Sequence, residues 1–361
     1  ELNKRGITTF VCARNYDRLP RHELIEGTEY QRSPVVRRSL AATAVIYLFD
    51  VLIWLIRNRG RYDVIHCQQM FGPTMAAAVA SFILNKPVVT RVTAIGDLGE
   101  VKQVRELPFT AVRMKLIRRV KRWVALTSEM KQELVSLGIP PNRVQIIHNS
   151  TDIPAAIAYD EATKAGFRSE LKLGTGKIGV FVGRLSEEKN LDLLIRSWAE
   201  VRRAIPDARL LILGGGGAYR NVETRLRALI AELKLDGPVA LLGHVDRPKA
   251  YVLASDVFIL PSRTEGMSNA LVEALACGAA IVATDIPGNA EICKDGENAL
   301  LVRPGDAGAL AAAIIDVLGP PELARRLGAA ARRTAEEKLT VERMLDAYLA
   351  AYLAMLAEPR R

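Results

Sequence analysis

The sequence predicts an α/β protein that contains two doubly wound domains. Short apolar runs of the kind that form buried parallel strands alternate with stretches of helical periodicity along the chain. With 361 residues, the chain is long enough for two domains that each bury a sizeable core. The composition is 49% hydrophobic and 25% charged, which is typical of a soluble globular protein.

The first half of the chain is predicted to open with a helix end at residues 2–6, which stops at a glycine. A polar, basic connection follows the first strand and runs to about residue 38. The predicted strands are 7–13, 62–66, 87–93, 123–128 and 144–148, and the predicted helices are 40–56, 72–84, 109–121 and 129–137. The motif from Asn149 to Asp152 closes this half, so we assign residues 1–152 to the first domain.

The second half begins with a linker and a lead-in helix over residues 153–176. The predicted strands are 177–184, 209–213, 239–242, 256–260 and 280–284. Helices are predicted to begin at Lys189 and Ala270, and the segment beyond Asp306 has helical character as far as Pro359. We assign residues 153–340 to the second domain and 341–361 to a final helix.

The helix predicted at 40–56 contains a single charged residue, Asp50. It is interpreted either as a membrane span or as a helix that is buried or lies along a membrane. Its about 17 residues would extend roughly 26 Å, less than the roughly 30 Å of a bilayer's hydrocarbon core. Asp50 also lies past its middle, where a charge is costly in a membrane. The sequence therefore favours the second interpretation.

The helix predicted at 109–121, with the residue after it, is dense in cations. The cations are Arg113, Lys115, Arg118, Arg119, Lys121 and Arg122, and the predicted apolar stripe is Val112, Leu116, Ile117 and Val120. This pattern fits a solvated basic face or a surface for anionic lipid or a lipid-phosphate acceptor. Nucleic acid is disfavoured because no aromatic residues are interleaved. The solvated face and the lipid surface both stay open. If the segment from Arg113 to Arg122 has a partner, the predicted one is an anionic membrane surface, and no nucleic-acid partner is predicted.

Overall charge and cysteine usage restrict the partner and the compartment. The net charge of +10 favours an anionic partner. The four cysteines (Cys12, Cys67, Cys277 and Cys293) show neither close pairing nor metal-ligand spacing, and this predicts buried free thiols in a reducing cytoplasm. The sequence contains no D-x-D, so no metal site is predicted. We expect a cytoplasmic protein, peripheral on the inner face of the plasma membrane.

The stretch from Pro261 to Gly278 is predicted to carry the functional site. A strand ends there, a polar loop turns, and a helix begins, with Ser268 and Asn269 as natural caps. In an open α/β sheet such a junction binds anions such as phosphates, because the first helical N–H groups lack partners. Glu265 and Glu273 lie eight positions apart in this stretch. Glu273 is surrounded by apolar helix residues and therefore needs a partner or a ligand. The alternative is that both carboxylates are ordinary surface charges.

A second candidate cluster lies at the end of the strand predicted at 177–184. That strand ends at Gly183 and Arg184, and Lys189 follows. A planar guanidinium fork and a flexible ammonium beside one loop suit a diphosphate. The alternative is again ordinary surface charge. The glycine run 214–217 is weak evidence by itself, because it lacks the G-x-G-x-x-G context.

Several ordered motifs together resemble a known family. The run PSRTEGMSNALVEALACGAAIVATDIPGNAEICKDGENALLVRPGD contains Glu265 and Glu273 as an E-x7-E pair, and the other motifs are 63–66, 149–152, 183–185 and 188–190. The chain from Lys4 to about Leu345 is similar to retaining, nucleotide-sugar-dependent glycosyltransferases of the GT-B fold, family 4 (glycosyl transferases group 1). This resemblance implies two Rossmann-like domains that face a cleft, with the last helices crossing back to the first domain.

The resemblance also implies a function and roles for residues. A hexose would move, with retention and without a metal or cofactor, from a UDP- or GDP-linked donor to a lipid-linked or oligosaccharide acceptor in bacterial-type surface glycan synthesis. Arg184 and Lys189 would stabilise the leaving diphosphate, Glu265 would hold the hexose hydroxyls and Glu273 the ribose hydroxyls. The implied donor-binding residues are Gly183, Arg184, Lys189, His244, Val245, Glu265, Gly266, Met267, Ser268, Asn269, Ala270 and Glu273. The alternatives are a catalytically silent nucleotide-sugar-binding module and an epimerase or phosphorylase of the same fold.

The sequence departs from the family pattern on the acceptor side. Family members commonly carry His-Gly after the strand predicted at 87–93, whereas this chain has Gly96 and Asp97 nearby. His66, at the end of another strand, is a further acceptor-side candidate, although a lone histidine is more often structural. Members usually begin with a strand and a glycine-rich loop before the helix end at 2–6, and we expect those segments to be missing here.

Overall fold

The computed structural model describes residues 1–36, 39–70, 72–94, 99–106, 110–153, 160–216 and 222–358. The chain divides into two compact units, Glu1–Ile147 with Leu345–Arg361, and His148–Met344. Each unit contains a parallel sheet covered by helices, so the predicted α/β class is confirmed.

The first unit contains two separate sheets. Its strands are β1 (Phe10–Asn15), β2 (His22–Ile25), β3 (Thr28–Pro34), β4 (Ile65–Cys67), β5 (Val88–Arg91), β6 (Arg122–Ala125) and β7 (Val144–Ile146). Strands β4 to β7 form a four-stranded parallel sheet in chain order. Strands β1, β3 and β2 form the other sheet, in which β1 and β3 are parallel. A doubly wound sheet reverses its strand order at one point. The four-stranded sheet follows chain order throughout and shows no such reversal.

The hairpin of β2 and β3 was not predicted, because its polar sequence resembles a loop. The two strands are antiparallel, and Glu26 and Gly27 form the turn between them. Both turn residues have positive φ, 46° and 76°, which is the conformation that a two-residue hairpin loop requires. Strand β3 lies between β1 and β2, and its consecutive residues Gln31, Arg32 and Ser33 are buried, which explains why a polar segment forms a strand.

The helices of the first unit pack against one another beside the sheet. They are α1 (Leu40–Arg57), α2 (Gly72–Leu84), α3 (Glu100–Glu106), α4 (Thr110–Ile117) and α5 (Ser128–Ser136). Helix α2 lies between α1 and α4 and packs on β4 and β5. In the part of the chain that the structure describes, no single helix is long and apolar enough to cross a membrane.

The predicted basic helix is shorter than expected, and its predicted apolar stripe was wrong at one position. Helix α4 ends at Ile117, and Arg122 begins β6. Val112 is 59% exposed, so it does not belong to the buried stripe. Lys121 and Arg122 both form ion pairs with Glu358. A sequence window centred on the helix could not show an acid more than two hundred residues away.

The second unit has the doubly wound order that the sequence predicted. Its strands are β8 (Ile178–Val182), β9 (Arg209–Leu213), β10 (Val239–Gly243), β11 (Val257–Leu260), β12 (Ile281–Thr284) and β13 (Leu300–Val302). They form a parallel sheet in the order β10-β9-β8-β11-β12-β13. The order reverses between β8 and β11, and ligands bind at such a switch point in open α/β sheets.

The helices of the second unit are α6 (Glu161–Glu170), α7 (Leu191–Ala204), α8 (Glu223–Glu232), α9 (Pro248–Ala254), α10 (Asn269–Cys277), α11 (Pro287–Ala290), α12 (Ala307–Leu318) and α13 (Pro321–Lys338). A last helix, α14 (Val341–Ala357), runs from this unit into the first. Lys189 was predicted to begin a helix, but it lies in a short 3-10 turn (Glu187–Lys189) before α7. Asn190 separates the turn from the helix in a left-handed conformation with φ of 54°.

Candidate functional site

The candidate site lies at the carboxyl ends of β8 and β11, the two strands at the switch point. Gly183 and Arg184 follow β8, and the loop 261–268 follows β11 and leads into α10. Neighbouring parallel strands lie about 4.8 Å apart, so their loops are adjacent. The structure thus brings together the two clusters that the sequence predicted separately.

An ion pair connects these two loops. Lys189 Nζ lies 2.5 Å from Glu265 Oε1, and Ser262 Oγ donates to the same oxygen at 2.6 Å. The side chains of Lys189 and Glu265 are 12% and 10% exposed. Within the described residues, no hydrogen bond is recorded to the second oxygen, Oε2, of Glu265. That oxygen is therefore the one that a ligand hydroxyl can use.

Arg184 is held differently from Lys189. Its guanidinium donates to Glu188 Oε1 at 3.2 Å, yet the Arg184 side chain is 74% exposed. Ser186 Oγ also donates to Glu188 Oε1, at 2.6 Å. Burial opposes ionisation of Glu188, but the hydrogen bond from Ser186 and the nearby cations outweigh it, so its pKa lies below the ordinary value. Glu188 therefore stays charged and orients the most accessible cation of the site.

The first turn of α10 supplies the third part of the site. Ser268 Oγ accepts a hydrogen bond from the Leu271 N–H, which confirms Ser268 as the helix cap, and Gly278 ends the helix in a left-handed conformation. The N–H groups at the start of the helix have no intrahelical acceptor and favour an anion. Asn269 is exposed and Ala270 is half-buried at this end. Gly266 and Met267 lie in the loop directly before it.

Asn149 fixes that loop and was not predicted as a site residue. Its side-chain N–H donates to the carbonyl oxygen of Met267 at 3.1 Å and to Asn269 Oδ1 at 2.8 Å. The Asn149 residue is 6% exposed. Sequence analysis placed Asn149 only in a family motif, because its partners are more than one hundred residues away in the chain.

Two glycines allow close backbone packing beneath the site. A Cβ at Gly288, in α11, would lie 2.3 Å from the carbonyl oxygen of Glu265. A Cβ at Gly214 would lie 1.9 Å from the carbonyl oxygen of Gly183, and Gly214 has φ of 127°. The glycine run was weak evidence in the sequence, but its first residue is required where β9 meets the loop after β8. Gly217 lies outside the described residues.

The remaining predicted residues of the second unit lie around this centre. Glu273 is half-buried in α10, and among the residues that the structure covers it has no hydrogen-bond or ion-pair partner. His244 and Val245 directly follow β10, two strands away from β8, where His244 is exposed. These positions are consistent with one extended site along the sheet edge. Its parts are an acidic centre, two cations and a helix N-terminus.

His66 has a different environment from the one expected of an acceptor-side residue. Its Nδ1 lies 2.7 Å from Tyr352 Oη in α14, and its ring packs 5.1 Å from the Tyr348 ring. Gln68 Nε2 approaches His66 Nε2 at 3.4 Å, while its Oε1 accepts from Arg91. This network assigns the ring hydrogen to Nδ1. The geometry supports a structural role for His66, in which it joins the end of β4 to α14.

Gly96 and Asp97, the other acceptor-side candidates, lie outside the described residues. Next to that segment, the buried Glu100 was missed by sequence reasoning. Its carboxylate accepts from the backbone N–H groups of Met70 and Thr93 and from the Thr93 hydroxyl. Glu100 therefore joins the segments that follow β4 and β5. Burial raises its pKa, although these hydrogen bonds act in the opposite direction.

Comparison with known proteins identifies the family and the fold. The family model described as "Glycosyl transferases group 1" matches residues 163–334, and the one described as "Glycosyltransferase Family 4" matches residues 1–153. The chain is 30% identical to a D-inositol 3-phosphate glycosyltransferase of Nocardia farcinica over 82% of this chain, but it spans only 63% of that relative. It is also 30% identical to a protein of the same name from Acidothermus cellulolyticus, over 96% of this chain and 82% of that one.

A more local match and two solved structures extend the comparison. The chain is 37% identical to the Campylobacter jejuni N-acetylgalactosamine-N,N'-diacetylbacillosaminyl-diphospho-undecaprenol 4-alpha-N-acetylgalactosaminyltransferase, over 46% of this chain and 42% of that one. Sucrose-phosphate synthase from Thermosynechococcus elongatus shares the fold with a TM-score of 0.83 at 22% identity, covering 99% and 91% of the two chains. Anabaena Alr3699/HepE in complex with UDP-glucose gives 0.77 at 20% identity, covering 90% and 86%.

Replacing Gly288 by alanine tests the packing beneath the loop. The added Cβ would force the backbone of Glu265 to move, and overpacking of this kind costs about 1–3 kcal/mol. We expect a lower thermal midpoint and faster hydrogen exchange in peptides that cover 261–270. The matched control is Gly215→Ala, since a Cβ there meets nothing within 4 Å. Equal behaviour of the two variants would contradict the packing.

His66 gives a pH-dependent prediction for the first unit. Burial, and secondarily the charge of Arg91, lowers the pKa of His66 from 6.5 to about 4. Between pH 6.5 and about pH 4 the unfolded chain binds a proton at His66 more readily than the folded chain does. The free energy of unfolding therefore falls as the pH drops through this range. The loss should reach about 2–3 kcal/mol near pH 4. Urea titrations at neutral and acidic pH measure it.

His66→Phe should remove this part of the pH dependence, because phenylalanine cannot bind a proton. The control is His22→Phe, which replaces an exposed histidine of the same unit and should keep the loss below pH 6.5. A His66→Phe variant with an unchanged pH profile would show that another group is responsible.

Proposed function

The chain belongs to the glycosyl transferases group 1 family of GT-B glycosyltransferases, and from this membership we propose that it moves a hexose, with retention, from a nucleotide-diphosphate sugar to a lipid-linked or oligosaccharide acceptor. The observation that carries the proposal is the meeting of Arg184, the Lys189–Glu265 pair and the start of α10 at the switch point of the second unit. We place the reaction in surface glycan synthesis at the inner face of the plasma membrane.

The diphosphate of the donor is proposed to bind Arg184, Lys189 and the N-terminus of α10. The two cations and the helix amides would stabilise the negative charge that develops on the leaving diphosphate. Arg184 is the more accessible cation, whereas Lys189 is nearly buried and paired. We therefore expect Arg184 to make the first contact with the phosphates. Lys189 would divide its hydrogen bonds between the phosphate and Glu265.

The sugar is proposed to bind at Glu265 and the nucleoside further along the sheet edge. The second carboxylate oxygen of Glu265 would accept from hexose hydroxyls, with the acceptor attacking on the face from which the diphosphate leaves. Glu273 would accept from the ribose hydroxyls, and the backbone at His244 and Val245 would contact the base. A uracil or guanine base is proposed, and the relative crystallised with UDP-glucose supports uracil.

A donor panel tests the nucleotide-sugar site and its proposed independence from metal. UDP-glucose, UDP-N-acetylglucosamine and GDP-mannose are compared by thermal shift, with and without EDTA. A bound donor raises the midpoint by mass action, and EDTA should leave the rise intact because cations of the protein hold the diphosphate. Abolition by EDTA with recovery on adding Mg²⁺ or Mn²⁺ would contradict this phosphate site.

Product analysis separates transfer from the alternatives. The donor that binds is incubated with undecaprenyl-diphosphate sugars and with oligosaccharides, and the products are identified by mass spectrometry. NMR of the new linkage should show the anomeric configuration of the donor. A binding module would give no product. An inverted linkage would overturn the proposed retention.

The two carboxylates should separate in binding and kinetics. Glu265→Gln should strongly reduce transfer, but it should not weaken binding of the nucleoside diphosphate, because that product lacks the sugar and Lys189 loses a competing partner. Glu273→Ala should weaken nucleoside diphosphate binding by about 1.5–3 kcal/mol, or roughly one to two decades. Calorimetry with the nucleoside diphosphate and turnover measurements give both quantities.

The matched control is Glu297→Gln, a carboxylate of the same unit that is 66% exposed. It should change neither quantity. Circular dichroism establishes that the variants are folded. If Glu265→Gln weakened diphosphate binding as much as Glu273→Ala, the division of roles between sugar and ribose would be wrong.

A further inference from the structure

Helix α1 is apolar on the side that faces the unit and also on the opposite side. Tyr47, Val51 and Leu55 are 6%, 7% and 5% exposed and pack inward. Positions offset by two residues lie on the other side of the helix, and there Val45, Phe49 and Ile53 are 51%, 62% and 45% exposed. A surface helix normally carries polar residues outward. The outer side of α1 therefore needs an apolar partner.

The neighbouring helices also expose large apolar side chains. Helix α2 packs against α1 and exposes Phe82 and Ile83 at 67% and 57%, and α4 packs against α2 and exposes Val112 at 59%. We call this set the apolar face: Val45, Phe49, Ile53, Phe82, Ile83 and Val112. Six large exposed apolar side chains on three helices that pack in series indicate an interaction site.

Cations accompany the apolar face, and acids are scarce on it. Lys115, Arg118 and Arg119 are exposed in α4 and directly after it, and the Arg119 guanidinium stacks 4.5 Å from the Phe82 ring. Among the described residues no carboxylate pairs with these three cations. The sequences of α1, α2 and α4 contain one acid, Asp50, which forms an ion pair with Arg21. Arg113 is half-buried and Arg122 is paired, so neither contributes as predicted.

A cavity of about 670 Å³ lies beside the apolar face, and both apolar and cationic side chains line it. It is lined by Ala111, Met114, Lys115, Arg118 and Arg119. Aliphatic and thioether groups next to ammonium and guanidinium groups match the boundary between acyl chains and anionic headgroups. A protein partner would have to supply a matching acidic and apolar surface, whereas an anionic bilayer presents both along its whole area.

We infer that the apolar face of α1, α2 and α4 lies on an anionic lipid bilayer, with Phe49, Ile53 and Phe82 inserted and Lys115, Arg118 and Arg119 at the headgroups. The contact is carried by apolar insertion and assisted by charge. It joins the membrane-lying alternative that the sequence left open for residues 40–56 with part of the basic surface predicted between Arg113 and Arg122. The inference deepens the proposed membrane location. Its test contains no nucleotide sugar, so its failure would leave the proposed transfer reaction untouched.

The test measures flotation of the full chain with vesicles of phosphatidylcholine alone or mixed with phosphatidylglycerol, over a series of salt concentrations. The Phe49→Ser, Ile53→Ser double variant should lose binding to the mixed vesicles by about tenfold or more at every salt concentration. The Arg118→Gln, Arg119→Gln double variant should lose about fivefold per cation, or ~1 kcal/mol each. Its binding should depend less on salt than that of the parent chain.

The control is Leu353→Ser, in α14, which removes a side chain that is 66% exposed but outside the apolar face. It should bind vesicles like the parent chain. All changed positions are exposed, so we expect every variant to fold like the parent chain. Near-ultraviolet circular dichroism checks this. Unchanged binding of the Phe49→Ser, Ile53→Ser variant would overturn the inference. So would a lipid-free dimer that this variant converts to a monomer, because the apolar face would then be a protein interface.

Discussion

The site of the second unit depends on the ion pair between Lys189 and Glu265. Each residue belongs to the loop after one of the two central strands, and each is largely removed from solvent. A pair of this kind gains little net stability, because desolvation offsets the attraction. Loss of one partner is costly, however, because the other charge stays buried. The pair therefore determines how the two loops meet. Hydrogen bonds of Ser262, Glu188 and Asn149 hold the surrounding side chains and backbone in place.

Much of this arrangement could be predicted from the sequence, because the signals are local. Short apolar runs identified β8 and β11, and a polar loop before an apolar helix identified the cap at Ser268. The family motifs then assigned roles to Glu265 and Lys189. The contact between those two side chains could not be predicted, since it depends on strand order. Sequence order would separate β8 and β11 by two strands, whereas the sheet makes them neighbours.

The errors have a common cause, which is that tertiary contacts override local composition. The segment that forms β2 and β3 was predicted to be a polar connection, yet Gln31 to Ser33 are buried in β3, the central strand of its sheet. The basic helix seemed to continue to Lys121, but pairing of β6 with β5 and β7 ends it earlier. The acceptor-side role of His66 stays a prediction, and its contacts with two tyrosines of a helix almost three hundred residues later were not predicted. The partners of β6 and of His66 are distant in the sequence, whereas the β2–β3 hairpin is local but has the polar composition of a loop.

The close packing of Gly288 and Gly214 has a consequence for attempts to change sugar specificity. The loop that carries Glu265 rests on α11 and is held by Asn149, while the loop that carries Arg184 rests on Gly214. A graft that exchanges only residues 261–268 with a relative would import side chains without the backbone that supports them. The smallest set of residues that could be exchanged together with its supporting backbone is discontinuous in the sequence. It comprises the segments around 149, 183–190, 214, 261–270 and 288.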